Sequence, residues 1–380
     1  MRKLTVIQTL PALNTGGVER GTLEVAAELV RCGHRSIVVS AGGELLDELI
    51  SSGSEHFGLP VGHKSLLSLR YIHPFRRLIN ESRPDIVHAR SRLPAWISYL
   101  AWKDLDPATR PRFITSVHGP YSVNRYSKIM TKGERVIAIS EFIRTYILEN
   151  YPHTPPDQIR VIPRGVSGDR YPYGYQPSSA WMQAWRRQYP GLQDQRLITL
   201  PGRLTRWKGQ QDFLQIFSQL PRHPQVHGLI VGGPQPGKQH YFDELKTLAR
   251  QLGLQDRITF TGHRADLREI MSISSLVMSL STEPEAFGRT VLEALCLGVP
   301  VIAYAHGGAA EVMADMFAGG MIATHDIAAA VALTLKFLGD RPTVPDHNPY
   351  TLRRMLDSTL RLYEELANDP EQRLPLTVHA

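Results

Sequence analysis

Cysteine is nearly absent from this 380-residue sequence, and so are long apolar runs and the residue spacings that bind metals. Its two cysteines, Cys32 and Cys296, lie far apart in the chain, which excludes a disulfide framework or a sulfur-ligated zinc cluster and fits a reducing cytoplasm. No apolar run reaches the roughly 18 residues that a membrane-spanning helix needs. The histidines form no H-E-x-x-H pattern, and no D-x-D pair follows an expected strand, so we predict no metal and no other cofactor.

An acidic excess is also lacking, and the charge is basic but uneven. The chain carries 43 Lys and Arg against 36 Asp and Glu, a net charge of +7. Residues 1–170 hold 23 basic and 16 acidic side chains, whereas residues 171–380 hold 20 of each. A basic half can attract nucleic acid, an anionic membrane or a phosphorylated substrate, and charge alone does not choose among them.

Apolar, β-branched runs alternate with amphipathic segments of helical length almost throughout the chain. This pattern is typical of an α/β fold with doubly wound parallel sheets, and the length suits two domains. The predicted strands are 4–9, 36–40, 85–89, 113–117, 135–139, 159–162, 197–201, 228–231, 258–261, 275–279 and 299–303. The helices singled out are 18–32, 141–150, 210–220, 241–252, 289–296 and 352–366.

The alternation predicts two Rossmann-like domains that face one another across a cleft. A stretch rich in Pro, Gly, Tyr and Ser interrupts it at 165–193, and we place the interdomain linker within this stretch. We therefore expect an N-terminal domain over 1–168, a second domain over 169–348, and a segment 349–380. Its helix is long enough to pack back across the first domain. Ligands of such sheets bind where the strands end, so the loops there are the candidates for function.

Two glycines, Gly16 and Gly17, lie between the first strand and the first helix. Glycine lets a phosphate approach the backbone, and a helix N-terminus presents unpaired amides and a partial positive charge. A tight turn is an equally simple interpretation. The G-x-G-x-x-G fingerprint is absent, which disfavours a nicotinamide-dependent dehydrogenase.

Two cations, Arg203 and Lys208, occupy the loop after strand 197–201, where Gly202 and Gly209 also lie. A guanidinium and an ammonium five residues apart can close around a diphosphate. A solvated basic turn is the alternative for this segment alone.

The segment from Glu285 to Glu293 is the most specific feature. Its helix is expected to start near Gly288, and the helical rise separates the two carboxylates by on the order of 12 Å. A nucleoside diphosphate sugar fits that span, with sugar and ribose hydroxyls at the carboxylates and the diphosphate at the helix end. Alternatively, the first acid only favours the helix dipole and the second is an exposed side chain one turn later.

These residues, taken in order, resemble retaining glycosyltransferase family 4 within the GT-B superfamily (glycosyl transferases group 1). The resemblance covers nearly the whole chain, and its strongest match is the Glu-x7-Glu signature at Glu285 and Glu293. The loop at 319–326 is shorter than is usual in the family. Further matches are Gly16, Gly17, His118, Gly119, Ser140, Glu141, Ile162–Val166, Gly202, Arg203, Lys208, Gly209, Gly232, Gly233, Gly262, Gly298–Val301 and Gly307–Glu311.

The resemblance implies a metal-independent transferase that takes sugar from a nucleoside-diphosphate donor. Arg203 and Lys208 would neutralise the diphosphate, while Glu285 would hold the sugar hydroxyls and Glu293 the ribose. His118 would lie against the sugar from the opposite wall, although a strand-end histidine is as often structural. The departing phosphate would help to deprotonate the acceptor, so no protein nucleophile is needed. The other donor-binding positions implied are Gly16, Gly17, Gly202, Gly233, Gly262, Arg264, Leu267, Ala286, Phe287, Gly288, Arg289 and Thr290.

The acceptor and the cellular location follow from the family and from the basic N-terminal half. The resemblance implies a glycan or lipid-linked acceptor in the synthesis of lipopolysaccharide or another cell-surface glycan, with Glu19 facing it. Segment 66–79 interleaves apolar and basic residues and could rest on an anionic membrane, or could be an ordinary sheet-covering helix. Pro74 argues against a single regular helix there. We expect a cytoplasmic protein, and peripheral association with the inner face of the cytoplasmic membrane is an open alternative.

Two other functions remain open at the level of the sequence. One is a non-hydrolysing nucleotide-sugar epimerase, which has the same architecture but not the Glu-x7-Glu helix. The other is a non-catalytic nucleotide-sugar-binding subunit, which the presence of both cations and both carboxylates disfavours. Nucleic-acid binding is disfavoured because no stacking aromatics accompany the basic residues. The sequence does not reveal the donor base, the sugar or the acceptor, and a panel of UDP-, GDP- and ADP-sugars would test the base.

Overall fold

The computed structural model describes residues 2–14, 16–62, 65–222, 225–234, 237 and 239–369. The chain forms two compact units. Unit 1 contains the described residues up to Arg164 and from Arg353 onward, and unit 2 is Gly165–Leu352. The predicted divisions at 168/169 and 348/349 fall close to these two points.

Unit 1 is built on a seven-stranded sheet whose described pairings are parallel, in the order β3-β2-β1-β4-β5-β6-β7. The strands are β1 (Thr5–Thr9), β2 (Arg35–Ser40), β3 (Glu55–Gly58), β4 (Ile86–Ala89), β5 (Arg112–Val117), β6 (Arg135–Ala138) and β7 (Ile159–Val161). The helices are α1 (Gly17–Arg31), α2 (Leu46–Ser51), α3 (Ile72–Ser82), α4 (Arg92–Trp102) and α5 (Glu141–Asn150). Strands β4 and β5 are buried along their whole length, as expected of a parallel sheet covered on both faces.

The C-terminal helix, Leu352–Asn368, packs back on the sheet of unit 1, as predicted. The Tyr363 hydroxyl and the Nδ1 atom of His88 lie 2.6 Å apart, and both residues are buried. Arg112 Nε donates to the Leu366 carbonyl at 3.0 Å. Side chains from β4 and β5 therefore hold a helix that follows the whole of unit 2 in the sequence.

Unit 2 repeats the architecture with a six-stranded sheet, in the order β10-β9-β8-β11-β12-β13. The strands are β8 (Arg196–Pro201), β9 (Val226–Val231), β10 (Ile258–Gly262), β11 (Leu276–Ser279), β12 (Val301–Tyr304) and β13 (Met321–Ile322). The helices are α6 (Ser179–Gln188), α7 (Gln210–Gln219), α8 (Gln239–Gln251), α9 (Leu267–Ser272), α10 (Arg289–Cys296), α11 (Gly307–Met316) and α12 (Ile327–Gly339).

The named strands and helices of the sequence analysis are present, with ends that differ by at most two residues. Two short edge strands, β3 and β13, carry too little apolar pattern to be recognised. The stretch 165–193, within which the linker was expected, follows the division at 164/165. It lies in unit 2 and contains α6, whose Trp185 is 4% exposed and packs in a core cluster with Leu197 and Leu229.

Segment 66–79 is not one regular helix, as Pro74 indicated. A short 3₁₀ turn, Leu66–Tyr71, leads into α3, and Pro74 is the third residue of that helix. Proline is tolerated there because the first amides of a helix have no intrahelical partner.

Candidate functional site

An ion pair lies in unit 2 where the strand order reverses. Strands β8 and β11 are neighbours, and β9 and β12 continue the sheet in opposite directions. Lys208 follows β8, Glu285 follows β11, and the Nζ and Oε1 atoms of this pair are 2.7 Å apart. Ligands of open parallel sheets bind at this switch point, beyond the carboxyl ends of the strands. Both side chains are about 15% exposed, so the pair is partly shielded yet reachable.

Glu285 is held as an ionised acceptor by three neighbours. Ser281 donates its hydroxyl to Glu285 Oε1, and His306 lies close enough to favour the negative charge. His306 Nε2 is 2.6 Å from the Ser281 carbonyl, which fixes the ring beside this loop. Burial alone would raise the pKa of Glu285, but Lys208, Ser281 and His306 together outweigh it and lower that pKa. No motif in the sequence predicted Ser281 and His306 as site residues.

Gly288 shapes the turn into α10. It adopts φ +83°, the left-handed region that favours glycine, and a Cβ atom there would lie 2.6 Å from Ala309 Cα. The helix begins at Arg289, followed by Thr290, so its first amides come directly after the Glu285 loop. A helix N-terminus is a favourable position for an anion such as a diphosphate.

The residues between Glu285 and Gly288 contribute backbone more than side chain. Phe287 is 5% exposed and packs edge-on against Tyr350, with ring centroids 5.5 Å apart. A Cβ on Gly308 would lie 2.5 Å from the Ala286 carbonyl, and the Gly308 amide donates to the Glu285 carbonyl at 2.7 Å. Two glycine-dependent contacts therefore clamp the loop against the start of α11.

Glu293 is buried within α10, with 8% exposure, so the alternative of an exposed acid one turn into the helix was wrong. Its Oε1 accepts from Arg289 Nε at 2.9 Å. The Tyr171 hydroxyl also interacts with it, and burial together with Glu293 raises the pKa of Tyr171. The carboxylate is thus fixed in place before any ligand binds.

Glycines bring the loops after β8, β9 and β10 together. A Cβ on Gly232 would lie 1.9 Å from the Gly202 carbonyl, and Gly262 has φ +73°. The Gly233 carbonyl accepts from Leu204 at 3.2 Å. Arg203 lies in this group of loops as an exposed side chain, and no carboxylate of the described residues is within 4.0 Å of its guanidinium.

Two residues that were expected near the base, Arg264 and Leu267, already make contacts with other side chains of unit 2. Arg264 forms two hydrogen bonds with Asp266, at 2.8 and 2.6 Å, and Trp181 Nε1 donates to the same carboxylate at 2.7 Å. Leu267 packs against the core cluster that contains Trp185. Any contact of these side chains with a base would be made by the surfaces that remain.

In unit 1 the strand order reverses between β1 and β4. Gly16 and Gly17 follow β1, where α1 begins. A Cβ on Gly16 would lie 2.3 Å from Glu19 Oε2, so the Glu19 carboxylate folds back over the helix N-terminus. This position fits the alternative role of Glu19, an N-terminal helix charge. A Cβ on Gly17 meets no described atom within 4 Å, which leaves its backbone open to approach.

His118 follows β5 and is paired with Arg164, whose Nη2 lies 3.1 Å from His118 Nδ1. A guanidinium only donates, so Nδ1 accepts and the neutral ring carries its proton on Nε2. Burial, Arg164, Arg90 and His88 hold the pKa of His118 well below its ordinary value. His118 therefore presents an N–H donor, and its Nε2 has no hydrogen-bond partner among the described residues.

Two features are absent from the residues that the structure describes. No group of three or more His, Cys, Asp or Glu side chains among them could hold a metal ion. Within the same part of the chain, no helix is both long and apolar enough to cross a membrane.

Comparison with known proteins places the chain. The family model "Glycosyltransferase Family 4" matches residues 15–170 and "Glycosyl transferases group 1" matches residues 182–351. A glycosyltransferase structure from Rickettsia africae is 32% identical, with a TM-score of 0.86 over 97% of this chain and 100% of that chain. HepE from Anabaena, solved with UDP and glucose, has the same fold, with 20% identity and a TM-score of 0.80 over 95% of this chain and 100% of that one.

Among curated relatives, D-inositol 3-phosphate glycosyltransferase from Mycolicibacterium smegmatis is 29% identical over 203 residues, which are 53% of this chain and 44% of the relative. The match thus spans about half the length of such relatives. The two family models, in contrast, cover most of this chain one after the other, each on one unit. The chain therefore belongs to the GT-B glycosyltransferases of group 1 and family 4.

Proposed function

We propose that this protein is a retaining, metal-independent glycosyltransferase that takes a hexose or related sugar from a nucleoside-diphosphate sugar. The Lys208–Glu285 pair at the switch point of unit 2 carries the proposal. It supplies a cation for the diphosphate and an ionised acceptor for sugar hydroxyls on two adjacent strand-end loops.

The surroundings of the pair support distinct roles for its two members. The side-chain contacts of Glu285 with Lys208 and Ser281 fall on Oε1, so Oε2 is the oxygen through which it would accept a sugar hydroxyl. Lys208 would turn towards the diphosphate and stabilise the charge that develops as the nucleotide departs, together with the amides at the start of α10. The buried Glu293 would hold the ribose.

The donor base and the acceptor are proposals at a finer level. UDP is the first base to test, because HepE, which has the same fold, was solved with UDP and glucose. The acceptor would be a glycan or a lipid-linked sugar, as the family resemblance implies, in lipopolysaccharide or other surface glycan synthesis. Leu67 and Leu69, 69% and 48% exposed beside Arg70, support contact of unit 1 with an anionic membrane.

Lys208→Ala tests the donor site. Turnover and donor affinity should fall on the order of 100-fold, because the diphosphate loses the charge that faces it. Titration calorimetry with UDP-, GDP- and ADP-sugars measures affinity, and NMR of the product reports whether the anomeric configuration is retained. Arg206→Ala is the matched control, since Arg206 lies on the same loop but pairs with Glu244 at 2.7 Å.

Equal losses in the two variants would overturn the assignment of the diphosphate to Lys208. Donor binding without transfer to any acceptor would instead identify a binding subunit. Interconversion of the free donor would identify an epimerase.

A further inference from the structure

A separate cavity of about 620 Å³ lies in unit 1, at the edge of the sheet where the strands begin. It is lined by Asp85, directly before β4, and by Arg112, the first residue of β5. It shares no residue with the candidate site described above, which is built from loops that follow strands. Its volume is in the range of small-molecule sites.

Four arginines line this cavity, against two aspartates. They are Arg2, Arg83, Arg110 and Arg112, with Asp85 and Asp106. Asp85 is already occupied, since it pairs with Arg2 and accepts from the Thr5 amide at 2.8 Å. Arg112 is also committed, through the Leu366 carbonyl and Glu134. The remaining charged side chains of the lining are Arg83 and Arg110, which are basic, and Asp106, whose Oδ1 accepts from the Ala108 amide at 3.0 Å.

Neither Arg83 nor Arg110 has a carboxylate within 4.0 Å in the described parts of the chain. The Arg110 guanidinium lies 3.8 Å from the ring centroid of Trp102. Trp102 is 1% exposed and donates Nε1 to the Pro111 carbonyl at 2.6 Å, so the surface under Arg110 is rigid. Stacking on a fixed indole pre-orients the guanidinium without neutralising it.

Arg83 occupies a backbone position that favours glycine. It ends α3 with φ +45°, in the left-handed region, and its amide donates to the Ile79 carbonyl at 2.9 Å. Glycine adopts this conformation without steric cost. Arg83→Gly therefore removes the charge while suiting the backbone, which separates loss of binding from loss of folding.

We propose that this cavity binds the phosphate of a phosphorylated ligand, as a second site distinct from the donor site. Two guanidiniums that form no ion pair within 4.0 Å among the described residues, one of them held on a buried indole, suit the paired oxygens of a phosphate. Arg110 also acts on the Glu134 carboxylate, at longer range. The excess of basic residues in the first half of the chain is partly accounted for by this site.

Equilibrium dialysis of the full chain with radiolabelled inorganic pyrophosphate tests the site. The Lys208→Ala protein is the starting point, since it removes one of the two cations expected at the donor site, and its cavity in unit 1 should still bind one pyrophosphate. Adding Arg83→Gly and Arg110→Gln should weaken that binding at least tenfold. The midpoint of thermal unfolding should be preserved, because glycine suits the positive φ at position 83. Arg77→Ala, on the same α3 but paired with Glu81 at 2.6 Å outside the cavity, should bind as the starting protein does.

The proposal is overturned if the Lys208→Ala protein binds no pyrophosphate, or if removing both arginines leaves its affinity unchanged. Neither result bears on the donor site, which the turnover of Lys208→Ala tests separately. Co-sedimentation with phosphatidylglycerol vesicles distinguishes the source of the phosphate. If removing the two arginines abolishes co-sedimentation with the vesicles, the phosphate belongs to a lipid headgroup. If co-sedimentation is unchanged, the phosphate belongs to a soluble molecule.

Discussion

Glu285 and His118 are tuned in opposite senses by the side chains around them. Lys208, Ser281 and His306 keep Glu285 ionised, so it accepts hydrogen bonds. Arg164 donates to His118 Nδ1, so the ring is neutral and donates through Nε2. Glu285 is therefore a hydrogen-bond acceptor within unit 2, and His118 Nε2 is a hydrogen-bond donor within unit 1.

The state of His118 can be observed directly. At pH 6 its ring should be neutral, with the proton on Nε2, because burial and three cationic or potentially cationic neighbours oppose protonation. Nitrogen-15 NMR of histidine-labelled protein distinguishes the two tautomers and the charged form. Arg164→Met should raise the pKa of His118 towards its ordinary value and allow both tautomers. A charged His118 in the unaltered protein at pH 6 would contradict this assignment.

At the scale of elements, glycine contacts fix the turn between β11 and α10. Gly288 has a positive φ and no room for a Cβ, and Gly307 and Gly308 pack against the backbone of the Glu285 loop. Such contacts cannot be replaced by side-chain adjustment, because the atoms opposite belong largely to backbone.

Gly288→Ala should therefore lower the free energy of unfolding by about 1–2 kcal/mol from the left-handed backbone alone, with a further cost from the clash at Ala309. It should also weaken donor binding, since the helix start moves. Gly319→Ala serves as the control, because its Cβ would meet no described atom within 4 Å. Chemical denaturation of both variants measures the difference, and equal stabilities would refute the argument.

At the scale of the whole molecule, the C-terminal helix depends on buried polar contacts with strands far away in sequence. Tyr363 is fully buried and contacts His88, which in turn lies 2.6 Å from the Ser116 hydroxyl. The Tyr363 hydroxyl also interacts with Arg90. Removing the Tyr363 hydroxyl would leave buried polar atoms of His88 and Arg90 without this hydrogen-bond partner.

Tyr363→Phe is expected to destabilise unit 1 by about 1–3 kcal/mol, the cost of an unsatisfied buried polar group. Hydrogen exchange followed by mass spectrometry should show faster exchange in β4, β5 and the C-terminal helix, while peptides of unit 2 keep their rates. Tyr173→Phe, which removes a hydroxyl bonded to the Val344 carbonyl within unit 2, is the control. Protection of unit 1 equal to that of the unaltered protein would count against the role of this contact.

Stability should also depend on pH in unit 1. Burial and nearby arginines lower the pKa of both His88 and His118, so the folded state keeps them neutral. Below pH 6.5, the ordinary histidine value, the unfolded chain binds protons that the folded unit does not, and stability falls. Glu134, whose pKa burial raises, opposes this trend near the carboxylate range.

Between pH 7.5 and 5.5, each of these two histidines should lower the free energy of unfolding of unit 1. The loss is at most about 1.4 kcal/mol for each pH unit below the ordinary histidine pKa of 6.5. Hydrogen-exchange protection of β4 and β5 at the two pH values, at constant ionic strength, measures it. Unit 2 supplies an internal reference, because among its described histidines only His227 has a pKa that burial lowers, to about 4. Protection that rises on acidification would refute this account.

The alternation of strands and helices, the two sheets and the Glu-x7-Glu segment were all readable from the sequence. Each of these features is encoded locally. A burial pattern with a period of two or 3.6 residues, or a glycine at a turn, can be recognised within a few residues of sequence. For the same reason, the helix α6 within 165–193 was not predicted. Proline and glycine are frequent in linkers, but Trp181 and Trp185 of α6 find their partners on strands and helices further along the chain.

Only the tertiary structure decided which side chains meet. Lys208 and Glu285 are 77 residues apart, Arg164 and His118 are 46 apart, and His88 and Tyr363 are 275 apart. These pairings follow from the order of strands in each sheet and from the return of the last helix, which no local pattern encodes. The sequence by itself determined the elements and the family. Strand order determined the charge on Glu285, the tautomer of His118 and the cavity beneath β4 and β5, because each depends on neighbours that only folding brings within a few ångströms.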